Sequence, residues 1–454
     1  MSRLFRRLRT PAIVVAIAAA IIAGNYGVRN LAAIDPFAKY QANYLQPLGG
    51  GIGSLMKNVD VNGYDEGKLK VSFNAAQVQI RRDQQFFRMT LLRDGKTFSD
   101  GKVTTEFVAG IATYEAANNR IEVAGAPKVK NETFEITGLR AVIDQNEKKV
   151  LVERGASGTY RGGSFSAQAF TLIYDTEEAI VEGVAWKGPA ENWELLEATN
   201  QTRRDEVDIR MKEWRHLKNP DRDVYIDAEI VDKTSLLRAK TITWDRTTDI
   251  VTAEGNVEYH GPDAIVSAPK VVVYRKERRA VATGAVRFYV KPEKDKRNVT
   301  SVAGIPPAQV ELPPNLRQNQ QQDQQDPRSL DTARKYPIIV TCTKVEYVYA
   351  EGMKRAVMTG SPKARQTLPG DAWREVSAPT VIYEEEKEIM TLLSEPGGID
   401  VRMKNSLGDD IVAEILVISS KEGDQWITGK NVSGALKIDE NETGRRTGGG
   451  GGGG

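Results

Sequence analysis

Apolar and polar positions repeat along most of this chain in a unit of about thirty residues. A small residue opens an apolar strand ending in an aromatic, a charged turn follows, and a second strand closes on Gly. The unit is clearest from Leu237 through Ala239, Ile242 and Trp244, over the turn Asp245 to Asp249, to Val251, Ala253, Gly255 and Val257. It returns from Val266 through Ala268, Val271, Val273 and Tyr274 to Ala280, Gly284 and Val286. Weaker copies run over 109–129, 139–156, 167–184, 342–364, 378–393 and 413–432. Fixed-period self-similarity means that each hairpin is unable to bury its apolar face alone, so neighbours must stack into one continuous core.

The alternation is strandlike elsewhere too, as where Leu69, Val71 and Phe73 separate polar Lys70 and Ser72; period two is the mark of a half-buried antiparallel strand. The pattern predicts an all-β fold of stacked antiparallel hairpins, in two lobes or one long pair of sheets. Residues 1–29 form a basic start and an apolar segment. A tether follows over 30–59, ending in the glycine-rich 49–53 that argues against a regular element. A first β lobe covers 60–187 and a second covers 224–438. Between them, over 188–223, Trp193, Leu195 and Leu196, then Val207, Met211, Trp214 and Leu217 fall near helical spacing, with Pro220 as a stop. This predicts a helical insertion that joins the lobes or plugs a sheet end. The second lobe is interrupted at 292–337 by a Gln-rich, Pro-containing loop too polar to fold alone, and 439–454 is a flexible tail.

Charge and composition narrow the function. Lys+Arg 63 against Asp+Glu 61 leaves a formal charge of +2, with no basic stripe, which argues against nucleic acid as a partner. The single Cys342 excludes an intramolecular disulfide and reads as a small residue on a crowded strand face. Two histidines, His216 and His260, lie far apart and without ligand-spaced neighbours, so neither a metal nor another cofactor is expected. No nucleophile elbow, phosphate loop or HExxH motif is present, and the expectation is a protein that is not an enzyme.

The N-terminus carries Arg3, Arg6, Arg7 and Arg9, then 18 uncharged residues over 11–28. As a helix this segment would span roughly 27 Å, just enough for a hydrocarbon core. The basic side belongs in the cytoplasm, so the segment reads as an uncleaved single-pass anchor with the bulk of the chain beyond the membrane. A cleaved signal peptide is the rival reading.

Taken together, the basic start, the one apolar segment and repeats ending Ala253-Glu-Gly255-Asn-Val257 and Ala282-Thr-Gly284-Ala-Val286 resemble the OstA-like (LptA/LptC) proteins of lipopolysaccharide transport. The likeness covers roughly 60–187, 224–290 and 338–438. It implies a V-shaped jelly roll of two antiparallel sheets with acyl chains in its groove. It also implies an inner-membrane, periplasm-facing carrier that accepts lipopolysaccharide or a related lipid from ABC transporter permease subunits, and hands it to an LptA-like bridge protein through open sheet edges. The strand near 411–418, or its last neighbour near 435–438, is the expected edge. The chain is more than twice the length of the usual anchored member, so anchor and bridge could share one polypeptide.

Alternation supplies the candidate groove residues. These are Phe73, Val78, Ile80, Ile121, Val123, Phe170 and Leu172 in the first lobe, and Ile242, Trp244, Val257, Tyr259, Val271, Val273, Val286 and Phe288 in the second. Any sandwich needs such an inward row simply to fold, so an envelope scaffold with a closed core is the competing reading. The basic turn of Arg275, Lys276, Arg278 and Arg279 reads as a solvated hairpin tip with a lesser claim on lipid phosphates.

Overall fold

The computed structural model describes residues 51–193, 205–292 and 335–435, apart from 66, 84, 100, 116, 133, 145, 174, 175, 177, 263, 351, 422 and 423, together with residue 327. The expected anchor over 11–28, most of the loop over 292–337 and the tail over 439–454 lie outside these residues. Every strand pairing in the described residues is antiparallel, and the chain divides into two compact units, Met1–Asp232 with Thr243–Thr247, and Lys233–Ile242 with Thr248–Gly454.

Within the second unit the topology follows from one device, a strand that bends and serves two walls. Ile338–Val348 pairs through residues 344–348 with Arg355–Thr359, and through 338–341 with Lys363–Thr367. Between those two partners the chain turns at Gly360 (φ +79°) and Ser361 (φ +57°). Wall A continues through Thr380–Glu384, Ile389–Leu393, Ile415–Lys421 and Asp424–Lys430. Wall B continues through Trp373–Ser377, Val401–Asn405, Asp410–Ala413 and Ser433–Ala435. The chain crosses from wall to wall at the middle of each strand and turns back at its ends.

The repeated Gly is therefore the corner of a strand and not its close. Ile250–His260 runs on past Gly255, with a register shift between Glu254 and Val257, and Arg279–Val290 shifts between Thr283 and Val286 beside Gly284. Gly255 (φ +77°) and Gly284 (φ +97°) take left-handed conformations that cost other L-residues roughly 1–2 kcal/mol. A Cβ on Gly255 would also lie 2.7 Å from Lys240 Cβ.

The first unit is built the same way. Lys102–Glu115 pairs with both Arg120–Ala124 and Lys128–Lys130, which are separated by the corner at Gly125. Lys149–Tyr160 pairs with both Gly163–Ala167 and Ala169–Ile173.

Two expectations fail here. Residues 52–59, expected in the tether over 30–59, belong to a strand, since Ile52–Asp65 is paired along Lys68–Arg81; the rest of the expected tether lies outside the described residues, save Gly51. Gly53 sits inside that strand because a Cβ there would meet the Arg82 backbone at 2.8 Å. The helical insertion is also absent from the described part of 188–223. Glu178–Pro189 is a strand, Ala190–Asn192 a single 3₁₀ turn, and Glu206–Leu217 and Arg222–Val231 form an antiparallel hairpin. The apparent helical spacing arises because burial switches parity along Glu206–Leu217: Val207, Ile209 and Met211 are buried, then His216. The switch spans Lys212, beside which the partner strands carry Gly183 (φ +59°) and Asp227 (φ +48°).

Candidate functional site

Strand pairing defines which side chains share each inner face. In the second unit the floor of wall A passes through Ala253, Val271, Ala282, Val345, Met358, Val381, Leu392 and Leu416. The floor of wall B holds Val257, Ala268, Val286 and Cys342. Residues of both walls meet in the same apolar clusters, so the two faces pack against each other near the corners. Burial pushes the Cys342 thiol up to about 11, as expected for a small apolar-facing side chain.

Two residues further from the corners, the same faces carry a second row. On wall A it reads Val251, Val273, Ala280, Tyr347, Ala356, Tyr383, Met390, Ile418, each cross-paired with the next. On wall B it reads Tyr259, Val266, Phe288, Val340, Ala364, Val376, Met403, Ile411. Both rows are apolar across eight consecutive strands, a run of about 34 Å at the usual strand spacing of about 4.8 Å. Apart from buried Ala356 and exposed Tyr259, every member is half-buried. Tyr347 is tied down at one end, its hydroxyl donating to Glu385 Oε2 at 2.7 Å, with burial first and Glu385 second raising its pKa.

One row further out, wall B stays apolar through Ala264, Val290 and Ile338 and turns polar on its later strands. Gln366 and Asn405 are buried and Arg374 is half-buried. Arg374 Nε donates to Gln366 Oε1 at 2.7 Å, Gln366 Nε2 to the Tyr336 carbonyl at 2.8 Å, and Asn405 Nδ2 to the buried Asp409 at 2.7 Å. Burial lowers the Arg374 pKa.

The first unit fills the corresponding row of one wall. Ile80, Phe87, Tyr114, Ile121, Ile143, Val150 and Leu172 form one cross-strand row whose members are only 0–7% exposed. That row ends, through Ala179, in two polar residues that sequence reasoning missed, His216 and Asp223. Asp223 is fully buried. It accepts from His216 Nδ1 at 2.7 Å, Trp214 Nε1 at 3.2 Å and Arg246 Nε at 2.6 Å. Burial alone would raise its pKa, but the His216 hydrogen bond and the Arg246 charge together hold the carboxyl below its usual range.

Around this network lie six rings. Tyr160 and Trp186 come from one wall, Trp214 and Tyr225 from the other, and Trp193 stands between with centroids 5.2 Å from Trp186, 6.1 Å from Trp214 and 6.3 Å from Tyr225. Trp186 Nε1 donates to the Tyr160 carbonyl at 2.8 Å, and its ring lies across Gly163 and Gly188, where any Cβ would collide with it. Trp244 completes the group beneath the Arg246 guanidinium, 4.4 Å from its centroid. The space left among the rings is about 10 Å³.

The sequence candidates distribute accordingly. Phe73, Val78, Ile80, Ile121, Val123 and Leu172 are buried in the core of the first unit with Phe170 packed against them. Ile242, Val257 and Val286 are buried, at 1%, 4% and 1% exposure. Val271, Val273 and Phe288 are half-buried. Tyr259 keeps the face of Val257 but is 43% exposed, at the outer arm of its strand. Trp244, assigned by sequence to the second lobe, belongs to the first unit, because the adjoining Arg246 N–H donates to the Asp221 carbonyl and its guanidinium to Asp223. In the basic turn Arg275 is paired with Asp249, and Arg279 with Glu277 and Glu346, as a hairpin tip would be. The strands at 411–418 are internal, since Asp410–Ala413 and Ile415–Lys421 each have two partners; Ser433–Ala435 and Asp424–Lys430 come last among the described residues. Residues 436–438 lie outside them.

No protein-family model and no curated protein matches the chain. Among solved structures, LptH, the LptA-homologous periplasmic component of the conserved lipopolysaccharide transport device from Pseudomonas aeruginosa, is similar at 10% identity over 38% of this chain and 95% of that one, with a TM-score of 0.25. At that level of similarity the assignment of the fold, an all-antiparallel β architecture of bent strands, rests on the strand pairing itself.

Proposed function

We propose that this protein is a lipid carrier of the cell envelope, which shields acyl chains between two β walls during transfer across an aqueous gap. The observation that carries the reading is the pair of half-buried apolar rows, unbroken over eight strands on each wall of the second unit. Exposing a chain to water costs about 0.8 kcal/mol per CH₂. A route for such a molecule therefore needs continuous apolar surface, and a contiguous run of partly exposed apolar side chains marks an interaction surface where scattered ones do not. The rows are faces of paired strands and offer no backbone donors or acceptors, which suits a hydrocarbon better than a peptide.

In this reading residues 11–28 anchor the chain in the inner membrane, the β units face the periplasm, and lipopolysaccharide or a similar lipid passes from an ABC permease to an LptA-like bridge. The protein performs no chemistry on its cargo. The test is photocrosslinking in cells from Val273 and Phe288, with outward-facing Lys270 and Arg287 as controls. Lipid attached from the inward pair alone is the expected result. No lipid from either, in protein shown to be folded, would turn the weight to an envelope scaffold.

A further inference from the structure

The two units share a strand plan but differ in what lies between their walls. In the first, the row from Ile80 to Leu172 is closed to solvent, and where that row ends, Trp193 stands between Trp186 on one wall and Trp214 and Tyr225 on the other. The remaining 10 Å³ is at the lower limit for a single water. In the second unit the corresponding rows are half-buried, and their rings, Tyr259, Phe288, Tyr347 and Tyr383, belong to the rows themselves.

On this contrast, and resting on the carrier reading above, we infer that the second unit alone takes the acyl chains and that Trp193 seals the first. The occupant is an amphiphile and not a plain hydrocarbon. Its chain lies along rows that are apolar over eight strands, and its head is set toward the later strands of wall B, where half-buried Arg374 stands between the buried Gln366 and Asn405. Arg374 brings a cation to that lip, and Asp409, held by Asn405, an acid. Of these groups the half-buried Arg374 is the one partly open to solvent, and its cation matches a head group that carries negative charge and hydrogen-bonding oxygens.

Sealing has a physical rationale in the first unit. An acyl chain there would have to displace Trp193 from three ring contacts, each worth about 0.5–1.5 kcal/mol beyond its buried area. It would also have to lie beside the buried carboxylate of Asp223. In the second unit the buried acid, Asp409, lies one row outside the apolar rows and not along them.

The experiment uses the purified full-length chain and a diacyl phospholipid with a photoactivatable diazirine in one acyl chain, with labelled peptides located by mass spectrometry. Label is expected on the peptides containing Val266 to Tyr274 and Ile338 to Val348, with a tenth or less on those containing Phe165 to Leu172 and Trp214 to Tyr225, a discrimination of about 1.4 kcal/mol. Trp193→Ala is expected to raise the label in the first unit severalfold; a folded variant that does not do so refutes the sealing role. Equal label in both units of the unaltered chain, or label confined to the first, overturns the inference and leaves the carrier reading standing. No label in either overturns the carrier reading itself. The distribution in the unaltered chain decides the matter whether or not Trp193→Ala folds.

Discussion

Asp223→Ala probes the strongest electrostatic commitment in the molecule. The carboxylate is fully buried and accepts from three side chains, one of them Arg246, whose own side chain is 10% exposed. Removing the acid strands a cation in a nearly dry site, where Asp221 at 3.9 Å and the Trp244 face at 4.4 Å compensate in small part. Breaking such a buried pair costs about 3–5 kcal/mol. With a urea slope near 2 kcal/mol/M, the midpoint for the first unit falls by about 2 M. Tryptophan fluorescence reports it directly, since Trp186, Trp193, Trp214 and Trp244 belong to the same cluster. The control is Asp221→Ala, a 39% exposed acid in a long contact with the same arginine, expected to lose at most about 1 kcal/mol. Adding Arg246→Leu to Asp223→Ala removes the stranded charge and should return part of the loss. Equal losses for the two aspartates, or strict additivity with Arg246→Leu, would refute the argument. Because the Asp223 pKa is lowered on folding, its contribution is complete above about pH 3.9 and disappears as pH falls through the folded value.

Gly255→Ala should cost about 1–3 kcal/mol in thermal or urea unfolding of the second unit, since the new Cβ meets both a left-handed φ and Lys240 Cβ. Gly352→Ala, with open space around it, should cost only the conformational part. His260 lies buried beside Glu258, near Arg238 and Lys291, and its pKa is lowered by burial first, with Glu258 opposing. The neutral ring is therefore the one that folding favours. The second unit should lose stability as pH falls below about 6.5, and His260→Gln should flatten that limb of the profile. A profile unchanged by His260→Gln would dismiss the histidine as its source.

Much of the architecture was legible in the chain because period two and the recurrent Gly are local signals. Val71, Phe73, Val257 and Val286 were placed inward by alternation alone, and all are buried. What alternation could not reveal was the bend. A Gly in left-handed conformation can end a strand or turn it through a corner, and only its partners' register, as at Gly255 and Gly284, separates the two. The same device misled the reading of 207–217: a parity switch within one strand mimics helical spacing. The partnership of His216 with Asp223 escaped notice because a search for clustered ligands weighs sequence spacing. Their juxtaposition comes from the hairpin register that pairs them directly. A Trp, a His and an Asp within one tight hairpin, as at Trp214, His216 and Asp223, was the available clue.

Because each bent strand belongs to both walls, neither wall can be lengthened without the other. Adding one hairpin of two bent strands lengthens both walls by about 9.6 Å and leaves their separation unchanged. Deleting one shortens them equally. The length of such a stack can change by copying or losing a single short stretch of its own gene, with no new interface to invent at either end.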